Sequence, residues 1–168
     1  MAVITETRTQ TAKIVPHLWF ADKAIEAANF YTSIVKNSRI LATTRYGDAG
    51  PGPKGSVLTV NFELDGRPFM ALNGGPSFAF ASGTSIMVMC DTQQEIDQLW
   101  ERLSDGGHEV QCGWVTDKFG LSWQVVPTVL SELLRDPNPA KSQSVMKAML
   151  QMVKLDIAGL ERASEQAA

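Results

Sequence analysis

The sequence has little of what disulfide-linked, zinc-binding or membrane-spanning proteins require. Its 168 residues include two cysteines, Cys90 and Cys112, without CxxC spacing, and only two histidines. So few cysteines and histidines, at this spacing, argue against a disulfide framework and a Cys/His zinc site. No run of eighteen apolar residues occurs, and the polar stretch 1–12 has no signal-peptide core. We therefore expect a cytoplasmic protein with no membrane partner.

Positive charge is also scarce and scattered. The formal net charge is -3, the pI is about 5.4, and lysines and arginines form no cluster. A surface of this kind lacks the electrostatic footprint that binds a phosphate backbone, so we expect no nucleic-acid partner. With 44% hydrophobic and 20% charged residues, the chain is typical of one soluble globular domain. We place that domain at 13–163, between a disordered tail at 1–12 and a short tail at 164–168.

The first half of the domain predicts a β-α-β-β-β order. Four stretches alternate in the manner of strands, and a stretch between the first two has helical spacing with Asp22 as its cap. Asp65-Gly66 is a two-residue hairpin signal with both residues at positive φ. Glycine and proline exclude regular structure from the loop GDAGPGPKG (47–55). This first module, 13–74, has predicted strands 13–20, 38–46, 56–64 and 67–73 and a helix at 22–36.

The second half repeats the order, which suggests duplication. Thr92 and Glu95 form a capping-box sequence that opens a helix with Ile96, Leu99, Trp100 and Leu103 on its buried face. Around this helix, the second module, 84–127, has predicted strands 85–91, 108–114 and 121–127, with one more short strand possible around 114–116. We interpret Asp117-Lys118, in the last turn, as a self-neutralising turn rather than a lid.

Three amphipathic helices are predicted over 128–163. The first covers 128–136 with Thr128 as its cap, and Asp156 caps the third. The middle helix carries an apolar stripe of five residues: Val145, Met146, Met149, Leu150 and Val153.

Several motifs together resemble one known family. They are NFY on the first helix, CDTQQEID with LW on the second, CGWVTDKFGLSWQVVP, and the Met-rich SVMKAMLQMVKLDIAGLERA. The chain resembles, over 13–163, the PhnB-like branch of the glyoxalase/bleomycin-resistance (vicinal oxygen chelate) superfamily, labelled 3-demethylubiquinone-9 3-methyltransferase-like. The resemblance implies an α+β fold of two βαβββ modules whose sheets curl into a cup around a ligand, commonly in a homodimer, here followed by C-terminal helices.

The resemblance also implies where a metal would bind. Catalytic members hold a divalent metal with side chains of the first and last strand of each module, usually His and Glu. The matching positions here are weak ligands for a hard cation. We therefore predict no cofactor and disfavour a divalent metal, although His17 leaves a displaced site open. These positions fall near Val15 or Pro16, at Met70, near Thr84 or Ser85, and at Gln124.

A mainly apolar lining with a few polar anchors is the composition of a small-molecule site. A plain packed core with exposed polar strand ends is the alternative. For His17 the alternative is a strand histidine hydrogen-bonded inside or at the rim of the cup, and for Cys112 an inert packing residue. The candidate pocket residues are His17, Trp19, Asn61, Glu63, Met70, Met87, Cys112, Trp114 and Gln124.

Three functional hypotheses follow. The leading one is a PhnB-like protein that binds a small organic molecule in the cup without the usual metal. The second is an enzyme: either a metal-dependent lyase, isomerase or oxygenase with a displaced site, or the 3-demethylubiquinone 3-methyltransferase of the family label. Against methyl transfer, the sequence has no Gly-rich strand-to-helix turn of the kind that binds S-adenosylmethionine. The third hypothesis is a mainly structural dimer.

Overall fold

The chain folds into two compact units that divide between Ala79 and Phe80. A computed structural model of the protein describes residues 12–81 and 83–167. The predicted disordered tail therefore lies, except for its last residue, outside the described residues. Within the described ranges, none of the helices is both long and apolar enough to cross a membrane.

The first unit contains one helix and a mixed four-stranded sheet, sheet 1. In sheet 1 the strand order is β1-β4-β3-β2, with β1 and β4 parallel and the other pairs antiparallel. This confirms the predicted β-α-β-β-β module. Its elements are β1 (His17–Phe20), α1 (Ala24–Ile34), β2 (Arg39–Arg45), β3 (Val57–Leu64) and β4 (Arg67–Asn73).

Helix α1 covers one face of sheet 1. The helix buries Ala24, Ala27, Ala28 and Tyr31. Successive side chains of a strand point to opposite faces, so every second residue of each strand lies on the helix side. The residues between them lie on the other face, here called the open face of sheet 1. The sheet buries Leu18, Phe20, Val60, Phe62, Leu64, Phe69 and Ala71 on the helix side.

Two predicted boundaries in the first unit are wrong. Strand β1 begins at His17 rather than at residue 13, although the Pro16 carbonyl still accepts a hydrogen bond from the Met70 N–H. Asp22 does not cap α1, because Lys23 holds the cap position and makes no side-chain cap bond. Instead Asn73, at the end of β4, accepts a hydrogen bond from the Ala24 N–H at 2.8 Å. Asn73, which is distant in sequence, thus takes the capping role that was predicted for Asp22.

The second unit repeats the module as sheet 2, with the strand order β5-β8-β7-β6. Its helix begins as predicted: the Thr92 hydroxyl accepts from the Glu95 N–H, and the Glu95 carboxylate accepts from the Asp91 N–H. The predicted buried face of this helix is confirmed. The elements are β5 (Ser85–Cys90), α2 (Gln93–Ser104), β6 (His108–Glu109), β7 (Trp114–Thr116) and β8 (Ser122–Pro127).

The predicted strand 108–114 is wrong, because the chain breaks it into β6 and β7. Cys112 and Gly113 have φ angles of 60° and 79°, in the left-handed region that a strand does not contain. Gly113 is required here because a Cβ would lie 2.7 Å from the Val125 carbonyl oxygen. The short strand predicted around 114–116 is confirmed as β7.

Three helices complete the second unit: α3 (Leu130–Leu134), α4 (Pro139–Met149) and α5 (Ile157–Glu165). Asp156 caps α5 as predicted, whereas Thr128 does not cap α3, which follows Val129 without a side-chain cap. Of the predicted apolar stripe, Val145 is buried, but Met146 and Leu150 are exposed. The core of these helices is Leu130, Val145, Leu155 and Leu160.

Candidate ligand-binding surfaces

The open face of sheet 1 carries three candidate residues in one row. His17 is the register partner of Met70 across the parallel pair, and Met70 is the partner of Asn61 across the antiparallel pair. The His17 side chain is exposed at one end of the row. The Asn61 Oδ1 atom is buried and has no hydrogen-bond donor within the described residues. An unpartnered buried acceptor is costly, so this row favours a ligand that donates a hydrogen bond.

Two further candidates on this face are already engaged by the protein. The Trp19 indole N–H donates to the Gly75 carbonyl at 2.8 Å, and its ring meets Phe78 edge-on at 4.9 Å. The Glu63 carboxylate pairs with Arg39 at 3.0 Å. Trp19 is therefore a fixed apolar wall, and Glu63 is a compensated charge near the far end of β3.

Sheet 2 has the corresponding row. Met87 is the register partner of Gln124, and Gln124 is the partner of Trp114. The Gln124 side-chain N–H donates to the Ser85 hydroxyl at 2.8 Å. This bond gives the partly buried amide the hydrogen-bond partner that such a group needs. The Gln124 Oε1 atom makes no hydrogen bond within the described residues. Gln124 thus occupies in sheet 2 the place that Met70 occupies in sheet 1, as the duplication predicts.

Trp114 differs from the other three tryptophans. Trp19, Trp100 and Trp123 each donate their indole N–H to a protein oxygen at 2.8 Å. For Trp114, no such bond is found in the part of the chain that the structure describes. In the same row Met87 is 52% exposed, and Met89, two residues further along β5, is 46% exposed. The open face of sheet 2 therefore combines exposed apolar surface with one free donor and one free acceptor.

Cys112 lies apart from these rows. Its thiol is 3.6 Å from the Met149 carbonyl oxygen, on the side of the C-terminal helices. The other thiol, Cys90, is buried at the end of β5. The structure therefore gathers Met87, Trp114 and Gln124 on one open face and separates Cys112 from them.

Asp117 is a buried structural residue of the predicted turn. Its side chain is 3% exposed and accepts three hydrogen bonds from Phe119 N–H, Leu121 N–H and Trp123 Nε1–H, at 2.8, 3.1 and 2.8 Å. The turn interpretation is confirmed, and the carboxylate accepts from N–H donors of the hairpin. The sequence signal for this role is the Asx-turn pattern, in which a short polar side chain accepts a hydrogen bond from the backbone N–H two residues later.

The donor atoms on these surfaces do not fit the metal site of catalytic superfamily members. The row of sheet 1 offers one imidazole, one thioether and one amide oxygen, and the row of sheet 2 offers one thioether and one amide oxygen, with no carboxylate in either row. Within residues 12–81 and 83–167, no three His, Cys, Asp or Glu side chains lie close enough to share a metal ion. Divalent cations of this superfamily need several hard oxygen or imidazole ligands, so we derive no chemistry through a metal here.

A separate cavity of about 450 Å³ lies at the strand ends of the first unit. The loop 47–55 forms part of it by wrapping around Tyr46: a Cβ added at Gly50 would lie 2.6 Å from the Tyr46 ring. The Tyr46 hydroxyl in turn donates to the Asn73 carbonyl at 2.9 Å. The lining comprises Ala21, Asp22, Ile25, Tyr46, Pro51, Gly52, Pro53, Ser56, Val57, Asn73, Gly74 and Gly75.

Comparison with known proteins identifies the family. A model described as 3-demethylubiquinone-9 3-methyltransferase matches residues 12–126. The chain belongs to this family. A PhnB protein from Bacillus cereus is 36% identical over 70% of this chain and all of its own, with a TM-score of 0.65. The suspected PhnB-like relationship is therefore confirmed.

More distant structures extend the family's fold assignment. Protein PA1353 from Pseudomonas aeruginosa is 25% identical over 70% of this chain and 98% of its own, with a TM-score of 0.58. The fosfomycin resistance protein FosX from Mesorhizobium loti is 16% identical over 73% and 96%, with a TM-score of 0.51, which shows a shared fold alone. The search of curated proteins gives no match. The predicted α+β glyoxalase fold with two βαβββ modules is confirmed.

Proposed function

We propose that this chain binds a small organic molecule on the open faces of its sheets, without the metal ligands of catalytic glyoxalase-fold proteins. The observation that supports this most directly is the row of Met87, Gln124 and Trp114 in sheet 2. Exposed apolar surface beside a few convergent polar atoms is the composition of a small-molecule site. The opposite face of the same sheet packs on α2, so we expect the ligand on the open face.

The polar atoms define the class of ligand. The Oε1 atom of Gln124 and the Oδ1 atom of Asn61 accept hydrogen bonds, and the Trp114 indole donates one. Apart from His17, the two rows contain neither a cationic nor an anionic side chain. We therefore infer an apolar, flat or flexible molecule that carries an N–H or O–H donor and an acceptor. Thioethers adapt to varied shapes, which suits recognition of a hydrophobic body.

Dye binding tests this proposal. The fluorescence of anilinonaphthalene sulfonate, which has an apolar body, an N–H donor and sulfonate acceptors, should rise on addition of the protein. In Trp114→Ala the affinity is expected to fall about tenfold, equivalent to ~1.4 kcal/mol, because an aromatic contact and a donor are lost. A fluorescence titration of each variant gives the dissociation constants.

The matched control is Ile14→Ala, which removes an exposed apolar side chain that lies before β1. Its affinity for the dye should equal that of the unmodified protein. An equal loss in both variants would mean nonspecific adsorption and would contradict the proposal. Absence of dye binding to the unmodified protein would also contradict it and favour the mainly structural dimer.

Calorimetric titration with S-adenosylmethionine and with metal ions separates the proposed small-molecule binding from the two enzymatic alternatives. The glycine-rich loop 47–55 leads into strand β3, not into a helix, so it lacks the geometry that holds a nucleotide-like cofactor in doubly wound folds. Isothermal calorimetry with S-adenosylmethionine, and separately with Mn²⁺ or Ni²⁺, is expected to show no binding at micromolar concentrations. Micromolar binding of the cofactor would support methyl transfer, and stoichiometric metal lost in His17→Ala would support a displaced metal site.

A further inference from the structure

The three C-terminal helices lie outside the family match. The family model matches residues 12–126, and the first C-terminal helix begins at Leu130. Residues 128–167, here called the C-terminal extension, follow the module that carries Trp114 and Gln124. Their buried core of leucine and valine shows that the extension packs as an ordered part of the second unit.

The first turns of α2 anchor this extension. The Gln93 side chain donates to the Leu155 carbonyl at 3.2 Å and accepts from the Ile157 N–H at 2.9 Å. Lys154 pairs with Asp97 at 2.6 Å. The hydrogen bonds of Lys154, first, and of Gln93 hold the pKa of the Asp97 carboxyl below its usual value. Gln93 therefore contacts the residues on both sides of Asp156, the cap of α5.

From this anchor the extension reaches the break between β6 and β7. The Met152 carbonyl accepts from the Cys112 N–H, and the Val153 carbonyl accepts from the Gly113 N–H, both at 2.8 Å. The Gly113 carbonyl in turn accepts from the Val125 N–H at 2.8 Å. The backbone of the extension is thereby connected through two left-handed residues to strand β8.

These two residues directly precede Trp114, and Val125 directly follows Gln124. Positive φ is unfavourable for a cysteine, so the conformation at Cys112 needs partners that fix it. The two carbonyls of the extension are such partners. Gly113 is also closed in from the other side, because a Cβ there would lie 3.0 Å from a Leu155 methyl group.

We propose that the C-terminal extension positions Trp114 and Gln124 for ligand binding by clamping Cys112 and Gly113 in their left-handed conformation. This inference rests on the proposed function of the open face of sheet 2. Gln93 is then a positioning residue: it touches neither row and acts through residues 152–157. If the extension is loosened, Trp114 and Gln124 are still present, but their positions relative to each other are no longer fixed.

Gln93→Ala in the full chain tests the clamp, and Gln94→Ala is its matched control. Gln94 is the neighbouring exposed glutamine, and its side chain makes no hydrogen bond within the described residues. In Gln93→Ala, amide hydrogen exchange at Cys112 and Gly113 is expected to accelerate tenfold or more, and the NMR signals of the Trp114 indole and the Gln124 side-chain amide should move. The affinity for anilinonaphthalene sulfonate should fall at least threefold. Gln94→Ala should leave all these quantities unchanged.

Two results would overturn the proposal. One is unchanged exchange at Cys112 and Gly113 in Gln93→Ala, which would show that the extension does not hold them. The other is faster exchange with the Trp114 and Gln124 signals unmoved, which would make the extension a structural attachment only. If the signals move but the unmodified protein binds no dye, the positioning by the extension is supported and the proposed binding function is the part that fails.

Discussion

Replacing Asp117 by alanine is expected to lower the free energy of unfolding by about 4 kcal/mol. The carboxylate is buried and accepts from the N–H groups of Phe119, Leu121 and Trp123. Alanine leaves three N–H donors in the hairpin without their acceptor, and each unsatisfied buried donor costs about 1–3 kcal/mol. Urea denaturation followed by circular dichroism measures the change.

Two variants calibrate this result. Asp117→Asn keeps one oxygen acceptor but turns an NH₂ group toward N–H donors, so we expect an intermediate loss of about 2 kcal/mol. Lys118→Ala removes the exposed neighbour and should change stability by less than about 0.5 kcal/mol. A loss in Asp117→Ala no larger than that in Lys118→Ala would show that the hairpin does not depend on the buried carboxylate.

The second large effect is expected from Gly107→Ala, with a loss of about 3 kcal/mol. Gly107 follows α2 where the chain turns into β6. A Cβ at this position would overlap the Thr116 carbonyl oxygen and lie 2.8 Å from the Leu103 carbonyl oxygen. Both obstacles are backbone atoms of regular elements, so relief of the overlap requires α2 and β7 to move apart. Thermal and urea unfolding measure the loss.

Gly47→Ala is the matched control for this substitution. Gly47 begins the loop after β2, and a Cβ there would have no neighbour within 4 Å. Its stability should stay within about 0.5 kcal/mol of the unmodified protein. Equal behaviour of the two alanine variants would show that the close approach at Gly107 relaxes without cost.

The elements that the sequence predicted best are those specified by local signals. The capping box Thr92 to Glu95 and the apolar face of α2 lie within twelve residues of one another, and both are confirmed. The hairpin at Asp65-Gly66 has positive φ at both residues, as predicted. In each case the interacting groups are neighbours in sequence, so spacing alone identifies them.

The errors arise where distant residues decide the local structure. Asp22 is a good cap by type, but Asn73 takes the role from the end of β4. The stretch 108–114 alternates like a strand, yet carbonyl groups of Met152 and Val153 hold Cys112 and Gly113 in a left-handed bend. No local pattern reports a partner forty residues away, so these features required the folded chain.

The candidate site was predictable in composition but not in detail. The family resemblance placed Met70 and Gln124 at corresponding positions of the two modules, and the apolar composition with a few polar residues suggested the pocket. The hydrogen bond from Gln124 to Ser85 depends on strand pairing across 39 residues. The free indole of Trp114 is visible only by contrast with the three tryptophans that are hydrogen-bonded.

Asn73 has a consequence for how the first unit opens. Its side chain accepts from Ala24 N–H at the start of α1 and donates to the Val57 carbonyl at the start of β3, while its own carbonyl accepts from Tyr46. Helix ends normally fray on their own, because their first N–H groups lack partners within the helix. Here the first turn of α1, the start of β3 and the loop around Tyr46 share one residue, so we expect them to open and close as a single cooperative unit.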